Sequence, residues 1–424
     1  MSAHGDRRRR QRAATGAIAA IVAAAGAAIF ARQAWSPGPL SRPEAVARAQ
    51  ALADLGRRMF LDPSISASGR LACATCHDPA HAFAPAGDRA VQLGGPDMRE
   101  AGHRAVPSLM YLQAAPPFTE HYFESGDDGD GSADNGPTGG LGWDGRADRA
   151  RDQARVPLLS PYEMANGSAA GLANRLAHGP YAADLERWFG SEVFAEPERV
   201  LTAVGTALEA YQEDVATFAP YSSQYDAYLA GRATLSPPEE RGLAAFEDPA
   251  RGNCARCHPS RPSPIGLPPQ FTDYGFAALG VPRNPTIPAN ADPTFFDLGL
   301  CGPDRIDLAQ HASDCGRFAT PTLRNVATRR VFFHNGVFDS LTEVVEFYAA
   351  RDVEPARWYP RDAHGRVMTF NDLPARYWPN VETDSPFGEV AGGERRLSPQ
   401  DVADIVAFLE TLTDRGIAHG APRR

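Results

Sequence analysis

Two pentapeptides carry the chemistry of this chain: CATCH at residues 73–77 and CARCH at residues 254–258. Two cysteines three apart, with histidine directly after the second, read as a c-type haem attachment site. The thiols sit one helical turn apart and reach the two vinyl groups of one porphyrin, while the imidazole is directed at the iron as proximal ligand. A single C-x-x-C also suits a redox dithiol or half a zinc site. Two copies, each completed by histidine in a chain that opens with an export signal, select haem. Cys73, Cys76 and His77 are therefore expected to hold one haem c, and Cys254, Cys257 and His258 a second. Cys301 and Cys315 lack this spacing. In an oxidising compartment they read as a disulfide, worth roughly 3 kcal/mol in chain entropy; the alternative is two free thiols.

The elements around the motifs repeat. GRRMFLDP (56–63) leads into the first motif and GLAAFEDP (242–249) into the second. Each unit opens on a hydroxyl followed three residues later by an acid, Ser41 with Glu44 and Ser236 with Glu239, a pattern that caps a helix start. Leu52, Leu55 and Met59 then give one helix its apolar face, and Leu243 with Phe246 the other. A last helix begins at Ser398–Pro399 with Asp401 as capping partner and carries Val402, Ile405, Val406, Leu409 and Leu412. LTEVVEFYAARD (341–352) is a further amphipathic helix, with Leu341, Val344, Val345 and Tyr348 on one face. No alternating pattern of strand length is present, and the long connections are rich in Pro, Gly and Asp. The expected class is all-α, two copies of one helical module with long Pro/Gly-rich loops, joined near YLAGRATLSPP (228–238).

The chain of 424 residues is 43% hydrophobic and 22% charged, a globular composition with length for two domains. Its net charge is −10, and the basic residues of the first 35 positions leave the remainder more acidic still. That balance argues against nucleic acid and favours basic protein partners. Lysine is absent, so every fixed cation is arginine. Arg7–Arg10 and Arg12 precede an uncharged, alanine-rich run from 13 to 31, closed by Arg32. A basic start before an apolar run reads as a secretion signal, and the run is also just long enough for an uncleaved inner-membrane anchor. Either places the body of the protein in the periplasm.

WDGRA (143–147), DQA (152–154), PYEM (161–164), TPTLRNVA (320–327) and the tail LSPQDVADIVAFLETLTD resemble the bacterial di-haem cytochrome c peroxidase and MauG family, over about residues 45 to 415. The resemblance implies two cytochrome c-like haem domains: 45–227 with the peroxide-reacting haem and 228–415 with the electron-transfer haem. A signal or anchor (1–35), a linker (36–44) and a tail (416–424) flank them. It implies that Trp143 lies between the haems and helps carry charge. Gln153 and Glu163 become the polar residues over the open iron, Glu163 handling the proton, and Pro157 lines the same pocket. By themselves, Glu163 reads as a helix-start or surface acid and Trp143 as core. The family's methionine ligand to the second iron aligns with Tyr348, where MauG-like members place a ligating tyrosine; the other reading of Tyr348 is core filler.

The sequence also departs from the family. Ala105 replaces an Asn that often helps bind a calcium ion between the domains, leaving the carbonyls of Thr320 and Thr322 as remaining donors. The acidic loop 124–136 fails the EF-hand pattern and reads as solvated. His81 and His103 lie in the region where some members close the first haem, but neither matches that position well, so the first haem is expected to be open. The resulting expectation is a periplasmic oxidoreductase that reduces hydrogen peroxide. Its electrons would come from a small cytochrome or cupredoxin, or from a protein substrate. The rival class is a non-catalytic electron-transfer protein with both irons six-coordinate.

Overall fold

The computed structural model describes residues 40–123 and 134–417. The expected export segment and most of the acidic loop 124–136 lie outside them. Residues up to Ala51 form a unit of their own. Its described part is the exposed start of helix α1 (Arg42–Leu61), where Ser41 N–H and Oγ donate to Glu44 Oε2 at 2.9 and 2.7 Å.

The second unit runs from Leu52 onward. Among the described residues 39% are helical, 3-10 turns included, and strands are few. After α1 come α2 (Cys73–Cys76), α3 (Ala150–Gln153), α4 (Arg155–Leu159), α5 (Ala169–Ala177), α6 (Ala182–Phe189) and α7 (Pro197–Gln212). Then follow α8 (Val215–Phe218), α9 (Gln224–Leu229), α10 (Pro237–Glu247), α11 (Leu341–Ala350), α12 (Pro355–Trp358) and α13 (Pro399–Glu410). The strands are two residues each: β1 (Leu93–Gly94) pairs antiparallel with β2 (Glu100–Ala101), and β3 (Phe276–Ala277) with β4 (Phe318–Ala319).

Two hydrophobic cores organise these helices. The buried residues of the first run from Leu55 to Ala219, and those of the second from Tyr225 to Leu412. The same device builds both. A Cβ on Gly56 of α1 would stand 1.9 Å from Ala207 O of α7, and a Cβ on Gly242 of α10 would stand 1.9 Å from Asp404 O of α13. Only glycine lets each pair of backbones approach so closely. Capping fixes where the second pair begins: Ser236 N–H donates to Glu239 at 2.6 Å, and Ser398 Oγ to Asp401 at 2.7 Å. Arg241 clamps Asp404 through two bonds of 2.7 and 2.9 Å. Between residues 248 and 340 the chain is irregular apart from short 3-10 turns and the β3–β4 pairing. The Cys301–Cys315 disulfide ties this stretch together, as expected, with its Cα atoms 5.0 Å apart. Among the described residues no helix is long and apolar enough to cross a membrane.

Candidate haem sites

Each C-x-x-C-H histidine is held in the same way. His77 Nδ1 donates to Phe83 O at 3.0 Å and His258 Nδ1 to Phe271 O at 2.8 Å. Both phenylalanines are left-handed, at φ +51° and +54°, which turns their carbonyls towards the rings. Ser108 Oγ fixes the preceding carbonyl, Ala82 O, at 2.6 Å; Thr322 Oγ1 fixes Gln270 O, also at 2.6 Å. Leu109 and Leu323 each donate a backbone N–H to the same Phe carbonyls at 3.3 Å. With Nδ1 engaged, the lone pair of each imidazole sits on Nε2, the tautomer a metal ligand needs. Burial pushes His77 down to about 4 and lowers His258 as well, so both rings stay neutral at working pH. Burial likewise pushes the thiols of Cys73, Cys76, Cys254 and Cys257 up to about 12. These pockets are suited to an apolar macrocycle rather than to a thiolate metal site.

Different side chains face the two motifs. At the first, the charge of Glu163 acts on both Cys73 and Cys76. Burial raises the Glu163 carboxyl above the usual carboxylate range, against the pull of Ser160 and Arg146. Gln153 ends α3, and Pro157 in α4 accepts the N–H of Met164 at 3.0 Å, which brings the PYEM turn back onto α4. At the second motif, burial and then the charges of Cys257 and Cys254 push the Tyr348 phenol upward, and Tyr348 shares a cavity with that pair. The cavity there measures about 310 Å³ and is largely apolar. Cys254, Cys257 and His258 stand in its wall with Leu341, Val344, Val345 and Tyr348 of α11. The apolar stripe expected of α11 thus lines this cavity, and the buried residues of α11 are Val345 of that stripe together with Phe347, Ala349 and Ala350. The lining, the two thiols and the neutral imidazole fit a covalently held haem.

Trp143 also lines this cavity. Its Nε1 donates to Ala105 O at 2.7 Å, and its carbonyl accepts from Ala319 of β4 at 2.9 Å, so it joins the segment after the first motif to the second half of the chain. Asp144 beside it is fully buried and receives Arg104 Nη1 at 2.7 Å. Arg104 also grips Asp297 at 2.6 and 2.7 Å. His81 bonds Asp78 at 2.8 Å near the surface. His103 lies 3.3 Å from Asp304, and its charge reaches Glu163. Thr320 O, offered to calcium by the family resemblance, accepts from Thr272 Oγ1 at 2.7 Å.

A family model described as di-haem cytochrome c peroxidase matches residues 50–234. The methylamine utilization protein MauG of Paracoccus denitrificans is 35% identical over 374 residues, covering 86% of this chain and 89% of that protein. The chain belongs to this family. The crystal structure of the diheme peroxidase BthA from Burkholderia thailandensis is similar at 42% identity and a TM-score of 0.75, covering 86% of each chain. The cytochrome-c peroxidase IdrP2 of Denitromonas iodatirespirans is 27% identical, covering 72% of this chain and 75% of that protein. As a family member, the protein is a di-haem c-type oxidoreductase of the peroxidase class with two c-type haems, and the plain electron-carrier reading is set aside.

Sequence reasoning did not find Phe83 and Phe271, whose carbonyls orient the histidines. They stand 6 and 13 residues after their histidines, so the repeat does not align them. The buried Arg104 was missed too, because its partners are 40 and 193 residues away.

Proposed function

We propose that this family member reduces hydrogen peroxide in the periplasm, with the site of His77 open to peroxide and the site of His258 closed by Tyr348. Residues 45–227 and 228–415 are the two cytochrome c-like domains in this reading, which the repeated His–Phe and glycine geometry supports. Bound haems supply redox-active iron that exchanges electrons. The protein's own groups do the rest. His77 and His258, locked by Phe83 O and Phe271 O, present Nε2 as proximal donors. The Glu163 carboxylate takes the proton from one peroxide oxygen and returns it to the other as the O–O bond breaks. Its position suits that exchange, because burial raises the carboxyl's affinity for a proton while leaving it able to release one. Gln153 is the second polar group over peroxide, and Trp143 is the path between the two sites. Tyr348 would hold the second haem through its oxygen; deprotonated against the iron's charge, it would be an anionic donor that favours the oxidised state, and the second site would then store an oxidising equivalent. The donor is a small cytochrome, a cupredoxin or a protein substrate, and the −10 net charge favours a basic one.

The observation that carries this reading is the asymmetry: a part-buried carboxyl, Glu163, acts on the cysteines of the first motif, and a phenol, Tyr348, lines the cavity of the second. The test is the electron paramagnetic resonance spectrum of the oxidised protein together with peroxide turnover on reduced cytochrome. One high-spin and one low-spin haem with peroxide consumption is expected. Two low-spin haems and no consumption would overturn it.

A further inference from the structure

Arg329 is part-buried and lines the cavity of the second motif. Its hydrogen-bond partners are two carbonyls: Nη2 donates to Val106 O at 3.0 Å and Nε to Val331 O at 3.3 Å. Among the described residues no carboxylate stands within ion-pair distance of it. The other charged groups on the same wall are matched. Arg256 pairs with Asp384, Arg324 with Asp226, Asp297 with Arg104, and Asp372 with Arg283; Glu382 accepts the backbone N–H groups of Thr383 and Asp384. A buried guanidinium left without an anion carries a desolvation cost of several kcal/mol. That cost shows in the group itself, which burial alone pushes down to about 10. Its charge is also felt at His77, and its bond to Val106 O reaches the segment after the first motif.

A haem brings two propionate carboxylates on one edge of an otherwise apolar ring. We infer that Arg329 is the anchor for the propionate edge of the haem in this cavity, neutralising a carboxylate there and raising the ease with which that haem is reduced. A planar fork with spare N–H donors suits a carboxylate, and the bond to Val106, next to Pro107, ties that anchor to the first motif's surroundings.

The test uses the mature protein with both haems attached, in Arg329→Gln and Arg329→Lys variants. Haem content and the midpoint potentials of both haems are measured by spectroelectrochemical titration. The anchor predicts that Arg329→Gln keeps both covalent haems and shows a lower midpoint for the haem of the second motif; a fall confined to the other haem overturns it. Arg329→Lys, which keeps the charge, stays nearer the unmodified protein. Unchanged midpoints for both haems in Arg329→Gln overturn the inference. If Arg329→Gln fails to mature, the Lys variant decides: two haems near their original midpoints support the charge role, and loss of haem there too refutes it in favour of packing.

Discussion

At the scale of single residues, the two motifs differ in what faces them, and that difference can be read out separately at each. Tyr348 ends the stripe of α11 and lines the same cavity as Cys254 and Cys257. If its oxygen is the sixth donor, Tyr348→Phe should abolish the low-spin signal of one haem in the oxidised protein. Tyr348→Met should restore a low-spin haem of higher midpoint potential, because a thioether favours the reduced state more than a phenolate does. An unchanged low-spin spectrum in Tyr348→Phe would remove Tyr348 from the ligand set. Glu163 makes the second prediction. Glu163→Gln keeps the shape but cannot exchange the proton, so stopped-flow reaction with peroxide should slow by about 10²–10⁴-fold. In the unmodified protein the rate should show an inflection above the ordinary glutamate value of about 4.3, since burial raises this carboxyl. The inflection should vanish in the variant, and a slow rate with the inflection retained would assign it to another group.

At the scale of elements, the pattern of the sequence carried far. The capping pairs at Ser41, Ser236 and Ser398 and the stripe of α13 are all present. They are legible because a cap or a helical stripe is a relation between near neighbours. The stripe of α11 was legible too, but not what it faces, since periodicity cannot tell packed protein from a cofactor wall. The glycines of the repeated segments now have a physical role. Gly242→Ala would drive a methyl against Asp404 O, and Gly56→Ala against Ala207 O. Each should destabilise its helix pair by about 1–3 kcal/mol, as overpacking does. Gly87, whose Cβ would meet nothing within 4 Å, is the control, and its alanine variant should stay within about 0.5 kcal/mol. Thermal unfolding of the three variants side by side decides. Equal midpoints would mean that the close crossings are not what the glycines are for.

At the scale of the whole molecule, the halves of the chain meet through buried charge, and no local pattern in the sequence announces it. Arg104 belongs to the segment after the first motif, Asp144 follows Trp143, and Asp297 comes from the long irregular stretch. Contact between residues so far apart is a property of the finished fold, which is why motifs could place Trp143 but not the clamp beside it. Breaking the clamp should be costly. Arg104→Met leaves Asp297 buried without its cation and Asp144 with only Arg146 at 3.5 Å, a loss of about 3–5 kcal/mol at neutral pH. Acid supplies a second readout. Burial would raise the Asp297 carboxyl, but Arg104 more than offsets it and holds the group below the usual range. A depressed carboxylate contributes stability that is complete above its unfolded value of about 3.9 and is lost as pH falls through the folded value. In Arg104→Met the stranded Asp297 carboxylate shifts the other way and takes up a proton at higher pH, which relieves its burial cost. The gap in unfolding temperature between the two proteins should therefore be widest near pH 7 and narrow steadily as the pH drops towards 4. A gap independent of pH would mean that Arg104 acts there through packing rather than charge.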